Sequence, residues 1–135
     1  MEHYNELPLH EKLGIEEGFE VKLINEPLNF IESLNGIKDK IHFRKILNEP
    51  VDLIHLFTRS RKELLVEFPG LKTYIRRNGS LWISWPKETS IYVSDLNENI
   101  VREIGKIFGF VNSKSCSIDE NWNALKFVNP DKDKS

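Results

Sequence analysis

The chain has 135 residues, 39% hydrophobic and 30% charged, enough for one ordinary core without disulfide or metal staples. Its 19 Lys and Arg against 21 Asp and Glu leave a net charge of −2, so it has no electrostatic footprint for nucleic acid or an anionic membrane. The one cysteine, Cys116, cannot close an internal disulfide, MEHYNELPLHEK lacks the regions of a signal peptide, and no apolar run reaches membrane-span length. A single cytoplasmic domain over 1–135 is expected, with loose tails at 1–8 and 129–135.

One helical turn over 8–13 is closed by Gly14. FEVKLI, 19–24, alternates apolar and polar residues and reads as the first strand. A short helix follows, with Asn25 as N-cap, Pro27 in its first turn, Leu28, Ile31 and Leu34 as its stripe, and Asn35-Gly36 as its stop. IHFRKIL, 41–47, is a second strand, broken by Asn48-Glu49-Pro50. VDLIHLF, 51–57, is apolar on both faces, as a central parallel strand should be. The link between these last two is too short for a parallel crossover, so if they pair they form a hairpin and the sheet is mixed.

Ser60 and Glu63 make a capping box for a helix carrying Leu64, Leu65, Phe68, Leu71 and Ile75. Pro69-Gly70 predicts a break or kink near Phe68, and Asn78-Gly79 ends the helical region in a turn. The uncharged strand that follows ends at Pro86, which cannot donate to a ladder. Asp95 with Glu98 is a second capping box, opening a helix with Leu96, Ile100, Ile104 and Phe108 as its stripe and Gly109 as its stop. Strands over 111–118 and 124–128, joined by a short link, form an antiparallel hairpin. This order predicts a three-layer, Rossmann-like α/β domain on a mostly parallel mixed sheet with a C-terminal antiparallel hairpin. Its second half resembles Rossmann-like methyltransferases, which finish with a helix and an antiparallel strand pair.

That resemblance implies a glycine-rich turn after the first strand. The chain instead has Asn25-Glu26-Pro27-Leu28-Asn29, with no glycine for close backbone approach and with a carboxylate that repels anions. No GxGxxG or Walker loop occurs elsewhere, so no cofactor is expected: neither S-adenosylmethionine nor a dinucleotide. His3, His10, His42 and His55 have no metal-ligand spacing, and His55, inside LIHLF, reads as a core histidine bonded to backbone. Cys116 reads as a small hydrophobe, and Ser84 has no nucleophile elbow around it.

KLGI with Gly18, LINEP, DLIHLF with Thr58, Arg59 and Ser60, GSLWISWPK, SDLNENIVREIG and SIDENWNALKFV together resemble the bacterial domain of unknown function 3052 family, over roughly 9–128. The resemblance implies a stand-alone bacterial protein with no assigned activity and no catalytic residues to transfer.

The carboxyl ends of the strands are where open α/β sheets place ligands. The candidate site is therefore Thr58, Arg59, Ser84, Trp85, Lys87, Asp119 and Trp122, with Lys87 and Arg59 in one concavity and Trp85 or Trp122 as its wall. The leading expectation is a small-ligand-binding or regulatory module without catalysis. One alternative is a small enzyme with a methyltransferase-like fold, working at the same strand ends with Lys87 and Asp119 as acid/base candidates. Another is a protein-interaction module using exposed Trp85 or Trp122. The partner is an unknown small molecule or protein.

Overall fold

The computed structural model describes residues 7–130, and in it the alternating elements close into one six-stranded sheet. The elements are α1 (Leu9–Leu13), β1 (Glu20–Ile24), β2 (His42–Phe43), β3 (Val51–Phe57), α2 (Arg61–Leu71), β4 (Ile75–Pro86), α3 (Glu98–Ile107), β5 (Val111–Ser117) and β6 (Trp122–Val128). Single 3-10 turns occupy Ile31–Leu34, Lys38–Lys40 and Lys72–Tyr74. The strand order is β2-β1-β3-β4-β6-β5. The first four strands are mutually parallel, and β6 runs antiparallel to both β4 and β5.

Central β3 is buried on both faces, as its unbroken apolar run requires. Ile54 and Leu56 pack under α2 and α3 with Leu64, Phe68, Val101 and Ile104. Leu53 and Phe57 pack on the other side with Leu13, Leu34 and Trp82, beneath α1 and the 3-10 turn at Ile31–Leu34. The second layer is thus two real helices, and the third is one helical turn plus irregular chain. Each fully buried Leu, Ile or Phe contributes about 1.5–3 kcal/mol relative to exposure, so both faces hold the sheet.

Several local expectations are corrected. No α-helix follows β1. Asn25 adopts φ 61° instead of capping a helix, Leu28 is 100% exposed, and only Ile31–Leu34 winds as a 3-10 turn. The spacing of Leu28, Ile31 and Leu34 is three, which suits a 3-10 turn better than a 3.6-residue helix. The second strand is two residues long rather than seven, and Ile46 beyond it stands 69% exposed with no layer to bury it. It does not pair with β3; the two flank β1 on opposite sides. The sheet is mixed because of β6 instead.

Pro69 sits inside α2 without ending it, two residues before its last residue, Leu71, and both Pro69 and Leu65 are exposed. Ile75 belongs to β4 and Leu65 is exposed, so neither extends the buried stripe of α2. Asn78-Gly79 is an irregularity within β4, not the turn before it. The register with β3 jumps from Val51↔Ile75 to Leu53↔Ser80. A Cβ on Gly79 would lie 2.9 Å from the carbonyl oxygens of Arg76 and Asp52, so only glycine fits there. The expected N-terminal tail falls mostly on residues 1–6, and much of the C-terminal one on 131–135, outside the described residues. Asn129, expected in the loose tail, is buried.

The caps also differ from expectation. Ser60 Oγ accepts from the Glu63 amide at 3.1 Å, as expected. Glu63 does not reach back to Ser60. Its carboxylate takes the Thr58 hydroxyl, and Thr58 Oγ1 accepts from the Ser60 amide at 3.2 Å. The cap of α3 is Asn97, whose side chain accepts from the Ile100 amide at 2.9 Å. Asp95 instead accepts from the Arg61 amide at 2.8 Å, capping α2 from across the molecule. Asp95→Ala should therefore cost about 0.5–2 kcal/mol by a long-range route. Hydrogen exchange should speed up at the start of α2; acceleration confined to α3 would contradict this.

Candidate ligand site at the carboxyl edge

The connection from β1 leads outward to β2, whereas that from β3 leads the other way to β4. The carboxyl ends of β1 and β3 are therefore a topological switch point, where the diverging loops leave a crevice. Two adjoining cavities of about 440 and 310 Å3 open there and share Pro27, Tyr92 and Trp122. The larger adds Leu28, Asn29, Phe30 and Asp119, and the smaller adds Asn25, Thr58, Arg59 and Glu63.

Aromatic packing shapes the cleft. Trp122 meets Phe57 edge-on at 5.3 Å, and Tyr92 lies 5.4 Å from Trp122. Phe30 meets Phe57 edge-on at 4.9 Å, and His55 stacks behind Phe57 at 4.2 Å. His55 is fully buried, so burial pushes it down to about 3 and it stays neutral. Its Nε2 lies 2.7 Å from Ser84 Oγ, a side-chain partner rather than the backbone one expected, and Nδ1 has no hydrogen-bond partner among the described residues.

The seven expected site residues divide. Thr58, Arg59, Asp119 and Trp122 line the cleft. Thr58 is buried and its amide donates to the Ser84 carbonyl at 3.0 Å, which fixes the end of β3. Asp119 Oδ1 accepts from the amides of Asn121 and Trp122 at 2.8 and 3.0 Å, holding the β5–β6 turn. Trp122 is 6% exposed, core on one edge and cleft wall on the other.

Ser84 and Trp85 are corrections. Ser84 is fully buried against His55, and Trp85, 3% exposed, packs in the core beneath α2 and α3. The strand does not end in solvent at Pro86, because Pro86 pairs with Trp122 across the β4–β6 ladder. Trp85 and Trp122 are also too buried to present the flat patch of an interaction module. Arg59 and Lys87 do share the carboxyl edge, since β3 and β4 are parallel, but not a concavity. Lys87 borders a separate groove on the far side of Tyr92, and its Nζ donates to Ser117 Oγ at 2.7 Å.

Asn25 and Tyr92 were not foreseen as lining. Tyr92 had a signal in the sequence, the apolar triplet Ile91-Tyr92-Val93 inside a polar loop. Ile91 and Val93 stand 80% and 87% exposed beside it. Asn25 had none, since its left-handed backbone is visible only in the fold. Among the described residues there is no group of three or more His, Cys, Asp or Glu placed to hold a metal ion, and no helix is long and apolar enough to cross a membrane.

No family model and no curated protein matches the chain. Solved structures share its fold. A SAM-dependent methyltransferase from Aquifex aeolicus has a TM-score of 0.63 at 12% identity, covering 90% of this chain and 87% of that one. Magnesium protoporphyrin IX methyltransferase from Synechocystis PCC 6803 with bound SAH has a TM-score of 0.60 at 12% identity, covering 89% and 78%. Ribosomal protein L11 methylase from Lactobacillus delbrueckii subsp. bulgaricus has a TM-score of 0.59 at 11% identity, covering 95% and 77%. The architecture is a Rossmann-like, methyltransferase-like fold.

Proposed function

We propose that this protein binds a small molecule in the cleft between the ends of β1 and β3, as a binding or regulatory module rather than a catalyst. The observation that carries this reading is the pair of adjoining cavities at the switch point, walled by Tyr92 and Trp122. The candidate acid and base argue against catalysis. Asp119 Oδ1 holds two turn amides, Lys87 donates to Ser117, and the two residues border different concavities, so they do not face one reacting group. We place the protein in the bacterial domain of unknown function 3052 family on its sequence motifs alone. Mass spectrometry of the protein purified without added ligand and then denatured tests the binding reading. It should release a small molecule, and a Trp122→Ala variant that folds should release less.

The second reading is a small methyltransferase. The fold neighbours favour it, since the Synechocystis enzyme holds SAH. The chain's own turn after β1 weighs against it. That turn has no glycine, Asn25 stands in the left-handed conformation, and no helix N-terminus follows to receive an anionic group. Calorimetry with S-adenosylmethionine and with SAH separates the readings. No binding is expected at micromolar concentration. Micromolar binding that Asn25→Lys abolishes would transfer the case to the methyltransferase.

A further inference from the structure

We infer that the cleft selects a monoanionic amphiphile, its carboxylate held by Arg59 and its apolar body laid across Phe30, Trp122 and Leu28. This rests on the binding reading above and names the class of molecule bound. Among the described residues Arg59 is the only cation lining either cavity. Its guanidinium lies over the Tyr92 ring at 5.5 Å, and among the described residues it makes no ion pair or hydrogen bond. Its backbone is held in place. The Ser94 hydroxyl donates to its carbonyl at 2.8 Å, Thr58 before it is tied to Ser84, and Ser60 after it caps α2. A stacked planar fork on a fixed backbone loses little freedom when it takes a carboxylate in a bidentate grip.

The other end of the cleft is mixed: Leu28, Phe30 and Trp122 form an apolar strip beside Asn29, Ser33, Asp119 and Asn121. Leu28 lines the larger cavity yet is 100% exposed, so nothing in the described chain uses its surface. A ligand body reaching from Arg59 past Trp122 would cover it. Charge sets the limit on the head group. Glu63 and Asp119 line the same two cavities, so one cation faces two carboxylates. A single carboxylate can pair locally with Arg59, whereas a second negative charge, as in a pyrophosphate, would find only Glu63 and Asp119 and be repelled.

The test uses the full chain and phenylacetate, indole-3-acetate and octanoate, each beside its uncharged amide. Binding is followed by the indole N–H resonance of Trp122. The acids should bind about tenfold or more tighter than their amides, the scale of a charge-assisted bidentate contact. Arg59→Gln should bring each acid down to its amide, and Arg59→Lys should retain part of the preference. Leu28→Ser should weaken acid and amide alike. Acids and amides that bind equally while shifting Trp122 would overturn the inference and leave the cleft reading standing. An acid preference that survives Arg59→Gln would place the anion elsewhere and also overturn it. No shift of Trp122 with any probe would overturn the inference and the cleft reading together.

Discussion

Lowering the pH from 7 to 5 should remove about 2 kcal/mol of folding stability through His55 alone. The side chain is fully buried and neutral, with burial pushing it from the usual 6.5 down to about 3. Below about pH 6.5 the unfolded chain takes up a proton at this position and the folded chain does not. Stability is therefore complete above that value and falls as pH drops, by about 1.4 kcal/mol per unit, until the folded form also titrates. Other groups titrate over the same range, so the measurement is a difference. His55→Leu with Ser84→Ala removes both members of the pair and leaves neither unsatisfied. Urea denaturation of this double variant should show about 2 kcal/mol less acid loss between pH 7 and 5. Parallel losses in the two proteins would mean that His55 is not held neutral.

Gly105→Ala should destabilise the protein by about 1–3 kcal/mol, although on a solvent-facing helix it would stabilise by nearly 1. A Cβ at Gly105 would fall 2.2 Å from Cε1 of Phe127, closer than any real contact. Phe127 cannot yield easily. It is fully buried, with Phe68 edge-on at 5.5 Å and Phe110 at 6.3 Å. So α3 must lift off β6, and contacts of Val101 and Ile104 loosen with it. Adding Phe127→Leu should recover part of the loss in a double-mutant cycle. Strict additivity of the two substitutions would show that helix and strand do not meet at this glycine.

What was legible in the sequence follows from which periodicities had one physical solution. FEVKLI and VDLIHLF could only be a half-buried and a fully buried strand, and they are β1 and β3. The stretch after β1 has apolar residues spaced by three, which a helical stripe tolerates but a 3-10 turn fits better, and only Ile31–Leu34 of it winds while Leu28 stays exposed. Asp95 and Asn97 are both good capping residues two positions apart. Only the approach of α2 shows that Asp95 belongs to Arg61. Local chemistry nominates a cap; tertiary placement assigns it.

The site was legible where it depends on strand ends. Thr58 and Arg59 follow a central strand and must surface at the carboxyl edge, as must Asp119 and Trp122 at the start of the returning hairpin. Trp85 was not legible, because the side of the sheet it faces follows from parity but its cover does not. Leu96 and the two helices close over it. Tyr92 reaches the cleft only because Ser90 and Ser94 fold its loop back over that edge. Ser90 Oγ lies 3.2 Å from Asn121 Oδ1, and Ser94 holds Arg59.

We propose that this protein meets a small molecule in the crevice between β1 and β3. The most direct measurement is a titration of the folded, ligand-free protein with a low-molecular-weight cell extract, following its three tryptophan indole N–H resonances. Trp122 lines the cleft, whereas Trp82 is sealed with its indole donating to the Leu13 carbonyl at 3.0 Å, and Trp85 lies in the core under the helices. Trp122 should shift saturably with Trp82 and Trp85 unmoved, and the shift should need a higher ligand concentration in Arg59→Gln. A Trp122 resonance that stays unmoved throughout the titration would contradict that proposal.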